Sequence, residues 1–370
     1  MDGYVTLGRS GLRVSPLCLG TMTFGKEWDW GSTVETSRDI MARYLDAGGN
    51  FIDTANIYTK GHSEKIIGDY FAEQAGAPSN TPRDRVVIAT KFLGGMYRGD
   101  PNGGGASRKS IIAACEESLR RLRTDYIDLY WMHFWDRYTP MDETMRALDD
   151  LVSSGKIRYV GFSDTPAWKC AQAQTMADAR GYAPLVALQI EYSLLQRTVE
   201  HELIPMAQEL SLGVTPWSPL KGGQLTDKYR RGVERKEGDA ARAWVGERVD
   251  EHTLDLLDAM HEIGQTHELA GGGHASVAQV ALAWCLAKPG VQSPIIGART
   301  MEQLESNLAA AFVCLESEQI KKLDEMTSPP DMFPTSFLDF VVNNVHAGTT
   351  INGRKSETWD LAPASDAERF

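Results

Sequence analysis

The segment FIDTANIYTKGHSE, residues 51–64, begins with an apolar run and then becomes polar. Asp53 lies where the apolar run ends, and Tyr58 follows five residues later. From Ser63 onward, SEKIIGDYF places apolar residues at helical spacing. The segment therefore predicts a buried strand, a polar loop and an amphipathic helix, in that order.

The same order of strand, loop and helix recurs along most of the chain. The predicted strands are continuous apolar runs, as expected of a parallel sheet that is buried on both faces. They are the runs at 16–21, 50–55, 85–91, 126–133, 157–163, 185–193, 212–220 and 292–298. Eight such strands, most of them followed by a helix, favour a closed (β/α)8 TIM barrel. A doubly wound open sheet is the alternative, but no G-x-G-x-x-G follows any of these strands.

Two segments depart from this alternation. YVTLGRSGLRVS (4–15) predicts a β-hairpin that precedes the first barrel strand. A long insertion, 218–291, separates the seventh and eighth strands. It contains a charged loop at 227–244, a helix predicted at about 249–269 and a second helix at 276–288.

The chain is predicted to form one domain followed by a tail. No linker divides residues 1–327, which are therefore expected to form a single barrel domain. Residues 328–370 mix proline, glycine and aromatic residues without clear periodicity. Long segments of this kind often cover binding pockets, so the tail is a candidate lid. A disordered end is the alternative beyond Lys355.

Composition limits the class of protein. The chain has 370 residues, a formal net charge of -12 and no basic run, so neither nucleic acid nor a membrane surface is an expected partner. Its five cysteines are scattered, with neither metal-ligand spacing nor the density of a disulfide scaffold, so no metal site is predicted. We find neither a signal peptide nor an apolar run that would span a bilayer. These features are typical of a reduced, cytoplasmic protein.

Four polar side chains lie where the predicted strands end. Asp53 ends the second strand and Tyr58 follows it, Lys91 ends the third strand, and His133 ends the fourth. Each has a structural explanation when it is taken alone, such as a solvated strand end or a satisfied core histidine. In a (β/α)8 barrel, however, the carboxyl ends of the strands converge on the face where the chemistry takes place. The four side chains are therefore expected to form one site.

These four residue types together favour proton transfer to a carbonyl oxygen. A free tyrosine has a pKa of about 10 and donates its proton poorly near neutrality. A neighbouring Lys91 ammonium would lower that pKa, and Asp53 would supply the anion that a buried lysine needs. His133 could bind the substrate oxygen or the phenol. Because no side chain donates a hydride, a cofactor must serve as the reductant.

FIDTANIYTKGHSE, VVIATK, IDLYWMH and GARTMEQLESNL closely resemble motifs of the aldo-keto reductases, in particular the bacterial, NADP-dependent type. The resemblance extends from about residue 4 to about residue 327. It implies a (β/α)8 barrel that transfers a hydride between NADPH/NADP+ and a carbonyl or alcohol substrate, such as an aldehyde, a ketone or a keto-sugar. It also implies that Tyr58 is the general acid, that Lys91 and Asp53 tune it, and that His133 orients the carbonyl.

The resemblance also implies a set of cofactor-binding residues. Ser163 and Gln189 would hold the nicotinamide amide, and Trp217 would stack on the nicotinamide ring. Asp164 stands where most relatives have asparagine, and an ionised aspartate accepts but does not donate a hydrogen bond. The segment SPLKGG (218–223) would wrap the pyrophosphate. The full set is Thr21, Ser163, Gln189, Trp217, Ser218, Leu220, Gly222, Gly297, Arg299, Gln303 and Asn307.

The segment after the eighth strand favours NADP over NAD. Gly297 and Ala298 precede a helix whose N-terminus can attract a phosphate, and Arg299 adds a cationic fork. Gln303 and Asn307 lie four residues apart on one helix face and could reach the adenosine end. The alternative is that Arg299 only caps a surface turn.

Two questions stay open at the level of sequence. A nucleotide-binding regulatory barrel resembling the potassium-channel β subunits is the alternative function, since such subunits keep the same four side chains. A barrel hydrolase would need paired carboxylates or metal ligands at the strand ends, and the sequence offers neither. The substrate is indicated only by aromatic residues expected at the rim of the pocket, where a ring would fit: Phe24, Trp28, Trp30, Phe134 and Trp135.

Overall fold

A computed structural model describes residues 1, 3–73, 82–233 and 249–369. These residues divide into two compact units, Met1–Thr327 and Ser328–Phe370. Most of the charged loop predicted at 227–244 lies outside the described residues.

The first unit contains the predicted hairpin and the predicted barrel strands. Strands β1 (Val5–Thr6) and β2 (Arg13–Val14) pair antiparallel. Eight parallel strands then form one sheet: β3 (Cys18–Gly20), β4 (Phe51–Asp53), β5 (Val87–Phe92), β6 (Ile127–Met132), β7 (Ile157–Ser163), β8 (Leu185–Glu191), β9 (Gly213–Trp217) and β10 (Ile295–Gly297). Strand β10 pairs with β3, so the last strand lies beside the first.

The two ends of this sheet nearly meet. A parallel bridge joins Val214 of β9 to Val291, which lies shortly before β10. The backbone N–H of Val214 donates to the carbonyl oxygen of Gly290 (3.1 Å), and the N–H of Gln292 donates to the carbonyl oxygen of Val214 (3.0 Å). The sheet is therefore a nearly closed (β/α)8 barrel, as predicted, and the open doubly wound alternative was wrong.

Helices connect the strands around the barrel. They are α1 (Val34–Asp46), α2 (His62–Glu73), α3 (Arg108–Leu122), α4 (Met141–Ser153), α5 (Ala167–Arg180), α6 (Leu203–Glu209), α7 (Glu251–Gly264), α8 (Val277–Ala287), α9 (Met301–Ala309) and α10 (Ser317–Met326). Side-chain caps fix several starts: Thr33 caps α1, and Ser276 caps α8 in a capping box with Gln279. The helix predicted at about 249–269 is shorter because Gly264 packs against the backbone of Ala275, where the chain turns back.

The hairpin closes the amino-terminal end of the barrel. Leu7 and Val14 are fully buried and pack with Phe51 and Leu129 of the barrel interior. Gly8 has φ +55°, and a Cβ there would lie 2.2 Å from the carbonyl oxygen of Val186, so the close approach requires glycine. Only the carboxyl end of the barrel is left to hold a site.

The second unit contains a helix that the sequence did not predict. Helix α11 spans Thr335–His346, and β11 (Thr350–Ile351) pairs antiparallel with β12 (Arg354–Lys355). The apolar residues of α11 lie mostly on one side of the helix, so the expectation of a tail without periodicity was wrong for Thr335–His346. The lid role of residues 328–370 stays a prediction. Within the described part of the chain, no helix is both long enough and apolar enough to cross a membrane.

Candidate active site

Asp53 and Lys91 form a buried ion pair at the carboxyl ends of β4 and β5. Asp53 pairs in register with Ala89, and Lys91 projects to the same side of β5 as Ala89. The Lys91 side chain is 0% exposed and its Nζ contacts the Asp53 carboxylate. The same Nζ donates to the carbonyl oxygen of Thr54 at 2.8 Å. Burial would lower the pKa of Lys91, but the Asp53 carboxylate raises it above its ordinary value, so Lys91 stays an ammonium.

Tyr58 is held against this ammonium by a short 3-10 turn, Tyr58–Gly61, which leads directly into α2. Lys91 Nζ donates a hydrogen bond to the Tyr58 hydroxyl at 3.2 Å and lies 4.8 Å from the centre of its ring. Loss of solvent raises the pKa of Tyr58, whereas Lys91 lowers it. The net pKa lies above the ordinary value, which differs from the lowering expected from sequence because loss of solvent outweighs the ammonium.

His133 lies across the site from Lys91. Its ring centre is 5.7 Å from that of Tyr58, and the two planes meet at 77°. Burial, and then the Lys91 charge, lower the pKa of His133 to about 3, so the imidazole is neutral near pH 7. Its Nδ1 is buried and has no hydrogen-bond partner among the described residues. The four predicted catalytic side chains thus lie together.

Gln189 connects the predicted cofactor residues to this group. Its Nε2 donates a hydrogen bond to Asp53 Oδ1 at 2.9 Å, while Lys91 binds the other carboxylate oxygen. Gln189 is 3% exposed and pairs in register with Ser163 of β7. The sequence placed Gln189 only at the cofactor. A single amide inside the apolar run LVALQIE was the one available indication of a buried polar contact.

Asp164 and Trp217 contact each other beside Ser163. The indole Nε1 of Trp217 donates to Asp164 Oδ1 at 2.9 Å, and the Ser163 hydroxyl lies 3.4 Å from Oδ2. Asp164 has a left-handed backbone, with φ +39°. Partial loss of solvent raises the pKa of Asp164 to about 6, although its hydrogen bonds with Trp217 and Ser163 oppose this shift. The structure therefore brings together the side chains that the resemblance assigned to the nicotinamide.

The segment predicted to wrap the pyrophosphate is a tight turn. Ser218, Lys221 and Gly222 have positive φ angles of 53°, 49° and 66°. The N–H of Lys221 donates to the Ser218 carbonyl (2.8 Å), that of Gly222 donates to the Ser218 hydroxyl (2.8 Å), and that of Gly223 donates to the Leu220 carbonyl (2.8 Å). These three amides already donate hydrogen bonds within the turn, so they could donate to a pyrophosphate only if the turn opened.

The residues predicted at the adenosine end surround the start of α9. The backbone N–H of Arg299 donates to Gln303 Oε1 at 2.9 Å, and Asn307 Nδ2 donates to the Gly297 carbonyl at 3.1 Å. Gln303 and Asn307 therefore hold the turn that carries Gly297 and Arg299. A Cβ on Gly297 would meet no atom within 4 Å.

Thr21, the remaining predicted cofactor residue, lies at the end of β3. Its side chain is fully buried. Its hydroxyl donates to the carbonyl oxygen of Asp53 at 3.1 Å and lies 2.8 Å from the Ser63 hydroxyl. In this structure Thr21 therefore connects β3 to β4.

The rim prediction holds for Trp28 but was wrong for Phe24. Trp28 meets the Tyr58 ring edge-on, with 6.3 Å between ring centres, and packs 5.8 Å from Trp30. Phe24 is fully buried, because its backbone bridges to Ser32 and turns the side chain into the core.

A groove of about 630 Å³ opens beside this rim, between the loops that follow β5 and β6. It is lined partly by the aromatic residues Phe134, Trp135 and Tyr138, and partly by polar residues that include Asn102, Asp136 and Arg137. Because Phe134 directly follows His133, the groove begins next to His133.

Comparison with known proteins places this site in a family. The sequence profile of the aldo/keto reductase family matches residues 16–328. An uncharacterized oxidoreductase, YrpG, of Bacillus subtilis is 40% identical over 88% of this chain and 96% of its own length. Norsolorinic acid reductase stcV of Emericella nidulans is 37% identical, over 89% of this chain and 82% of that protein. Aryl-alcohol dehydrogenase [NADP(+)] of Phanerodontia chrysosporium is 32% identical, over 88% and 85%.

The match covers every barrel strand and the four side chains Asp53, Tyr58, Lys91 and His133. Family and fold agree, since the profile begins just before β3 and ends just after α10. The chain is therefore an oxidoreductase that belongs to the aldo/keto reductase family.

Proposed function

We propose that this protein reduces aromatic aldehydes and ketones with NADPH, and oxidises the corresponding alcohols with NADP+. The observation that carries the proposal is the position of Lys91 Nζ, which lies 3.2 Å from the Tyr58 hydroxyl and contacts Asp53. This arrangement supports a phenol that gives up its proton next to a fixed positive charge.

Each side chain of the group has a distinct role in the proposed reaction. NADPH, when bound, supplies the hydride. Tyr58 donates its hydroxyl proton to the carbonyl oxygen, and the Lys91 ammonium stabilises the phenolate that remains. Asp53 keeps Lys91 charged inside the barrel. Neutral His133 forms a hydrogen bond with the substrate oxygen and so positions it beside Tyr58.

The raised pKa of Tyr58 fits a proton donor. The phenol stays protonated through neutral pH, so the acid form needed for reduction predominates there. Oxidation of the alcohol needs the phenolate as a base, so its rate is expected to rise with pH. The two directions should therefore have different pH profiles.

Two features at the start of α9 support NADP over NAD. Arg299 lies beside the N-terminus of the helix, where both the helix dipole and the guanidinium attract a phosphate. Packing does not require a glycine at position 297, because a Cβ there would meet no atom within 4 Å. The open space suits the close approach of a ligand. The relative named aryl-alcohol dehydrogenase [NADP(+)] has a name that points the same way.

The substrate class is inferred from the aromatic rim. Trp28 stands edge-on to Tyr58, and the groove lined by Phe134 and Trp135 begins next to His133. Flat aromatic substrates pack favourably on such walls. Two relatives bear names that refer to norsolorinic acid and to aryl alcohols, which supports an aryl carbonyl over a keto-sugar.

A substrate panel tests the proposal directly. Purified protein is mixed with NADPH and with aryl aldehydes, aryl ketones, aliphatic aldehydes or keto-sugars, and NADPH consumption is followed. Aryl carbonyls are expected to give the highest kcat/KM. Tyr58→Phe should bind NADPH normally and lose nearly all turnover, because it keeps the ring but lacks the proton.

Two outcomes would contradict the proposal. Near-normal turnover of Tyr58→Phe would remove Tyr58 from the role of acid. Tight NADPH binding without turnover of any carbonyl would favour the regulatory barrel instead.

A further inference from the structure

The hydrogen bond and the backbone conformation of Asp164 do not depend on its negative charge. It accepts a hydrogen bond from Trp217 at 2.9 Å and has a left-handed backbone with φ +39°. Asparagine could accept the same hydrogen bond and tolerates the same backbone. The resemblance also assigns asparagine to this position in most relatives. What the carboxylate adds is therefore its negative charge alone.

The charges around Asp164 leave that charge uncompensated. The Lys91 ammonium lowers the pKa of Asp164 and so stabilises its ionised form, but Lys91 is already paired with Asp53. Glu191 of β8 repels it, although Glu191 is itself paired with Lys221 at 2.7 Å. Asp164 forms no ion pair of its own within the described ranges; part of the residue is exposed, although the surrounding protein removes enough solvent from the carboxylate to raise its pKa. The Asp164 carboxylate thus lies between Ser163 and Trp217 without a cation of its own among the described residues.

We propose that Asp164 makes the nicotinamide site favour the oxidised cofactor, by attracting the positive charge that NADP+ carries on its ring and NADPH lacks. This inference rests on the proposed function, since it takes Ser163, Gln189 and Trp217 as the nicotinamide pocket. Opposite charges in a partly solvated cleft attract each other appreciably. The protein should therefore hold NADP+ more tightly, relative to NADPH, than an asparagine variant does. Alcohol oxidation gains from this bias because it starts from the NADP+ complex.

Asp164→Asn is the sharpest variant because it removes the charge and keeps the acceptor for Trp217. Isothermal titration calorimetry on the full chain at about pH 8 gives the Kd of NADP+ and of NADPH for each protein. In Asp164→Asn, the ratio of the NADP+ Kd to the NADPH Kd is expected to rise about ten-fold, mainly through weaker NADP+ binding. Circular dichroism confirms that the variant is folded.

Asp29→Asn is a matched control. Asp29 also has a left-handed backbone, with φ +63°, and lies on an exposed loop after β3. The same change of charge there should leave the ratio of the two Kd values within about two-fold of the wild-type ratio, because Coulomb attraction falls with distance and with screening.

The wild-type protein provides a second measurement that needs no variant. Between about pH 8 and pH 5 the carboxyl of Asp164 should take up a proton, because its pKa is raised to about 6. The preference of the wild-type protein for NADP+ over NADPH should then decrease towards the preference of the Asp164→Asn variant. Lys91, Glu191 and Tyr58 also face this region, but Lys91 stays charged throughout and Tyr58 stays neutral. The 2′-phosphate titrates in both cofactors and largely cancels in the ratio.

The outcomes separate this inference from the proposed function. If neither cofactor binds to the wild-type protein, the proposed function fails. If both bind and Asp164→Asn weakens them equally or not at all, the proposed function stands, and Asp164 only positions Trp217. A ratio that rises in Asp164→Asn but not in Asp29→Asn, and that rises as pH falls from 8 to 5 only in proteins retaining Asp164, supports charge discrimination.

Discussion

The side-chain amide of Gln189 donates a 2.9 Å hydrogen bond to Asp53, on the carboxylate oxygen that Lys91 does not bind. The residue assigned to the nicotinamide therefore also holds the ion pair that supports Tyr58. In the proposed function, cofactor binding and proton transfer would share this buried hydrogen bond, so a change at Gln189 should alter both.

Gln189→Met should raise the Kd for NADPH and also shift the pH profile of carbonyl reduction. The hydrogen bond from Gln189 lowers the pKa of Asp53 against the larger effect of burial, which raises it. Without that bond the pKa of Asp53 rises further, Asp53 becomes protonated at a higher pH, and Lys91 loses its partner there. In a plot of kcat against pH, the loss of activity on the acid side should therefore begin at a higher pH.

Ser163→Ala is the control for this prediction, since the Ser163 hydroxyl forms no hydrogen bond with Asp53 in the described part of the chain. It should raise the Kd for NADPH and leave the pH profile unchanged. If Gln189→Met raises the Kd but keeps the wild-type profile, the hydrogen bond to Asp53 has no part in proton transfer.

Lys91→Met should strongly reduce carbonyl reduction and move alcohol oxidation to higher pH. Lys91 lowers the pKa of Tyr58 within the pocket, so its removal raises that pKa further and makes the phenol a weaker acid. Oxidation needs the phenolate, which then forms only at higher pH. Steady-state rates in both directions across a pH series measure the effect.

The double variant Asp53→Asn with Lys91→Met separates two roles of Lys91. If Lys91 only neutralises Asp53, removing both charges leaves no unpaired ion and should restore much of the activity. If Lys91 acts on Tyr58, the folded double variant stays as inactive as Lys91→Met. Recovery of activity would therefore exclude the catalytic role.

Arg299→Ala should weaken NADPH binding about ten-fold or more while leaving NADH binding nearly unchanged. Only NADPH carries the 2′-phosphate, and a hydrogen bond to a charged group contributes about 1.5–3 kcal/mol. Arg137→Ala removes an exposed arginine from the loop after β6 and should affect neither cofactor. Equal losses for NADPH and NADH would show that Arg299 does not recognise the phosphate.

Glu200→Gln should destabilise the folded protein at neutral pH by about 2 kcal/mol. Glu200 accepts hydrogen bonds from Arg197 at 2.8 and 2.9 Å, and the Arg197 side chain is only 7% exposed. Burial would raise the pKa of Glu200, but Arg197 and Tyr192 lower it below its ordinary value.

This lowered pKa fixes the direction of the pH dependence. The ionised Glu200 contributes stability above its unfolded-state pKa of about 4.3, and that contribution is lost as pH falls through the folded-state pKa. The difference in unfolding free energy between wild type and Glu200→Gln should therefore be full near pH 7 and shrink below about pH 4. Urea unfolding at several pH values measures it, with the exposed Glu202→Gln as control. A difference that does not change with pH would show that Arg197 does not depend on the charge of Glu200.

The sequence alone was sufficient for the barrel because its pattern is local and repeated. Each buried strand is an apolar run and most are followed by an amphipathic helix, so the period of the pattern specifies the elements one at a time. The same reasoning missed α11, whose apolar face lies between a proline-containing and a glycine-containing segment, and placed Phe24 at the rim, although the loop buries it. Local patterns do not show which way a loop turns its side chains.

The sequence by itself determined which residues end the strands, and thereby the identity of Asp53, Tyr58, Lys91 and His133 as one group. Only the tertiary structure decided how the four side chains shift each other's pKa values. The shift in the pKa of Tyr58 depends on how much solvent it loses, and the hydrogen bond from Gln189 to Asp53 joins residues 136 apart in the chain. Both depend on distances across the barrel, which no local run of sequence specifies, because they arise only when β4, β5 and β8 close around a common interior.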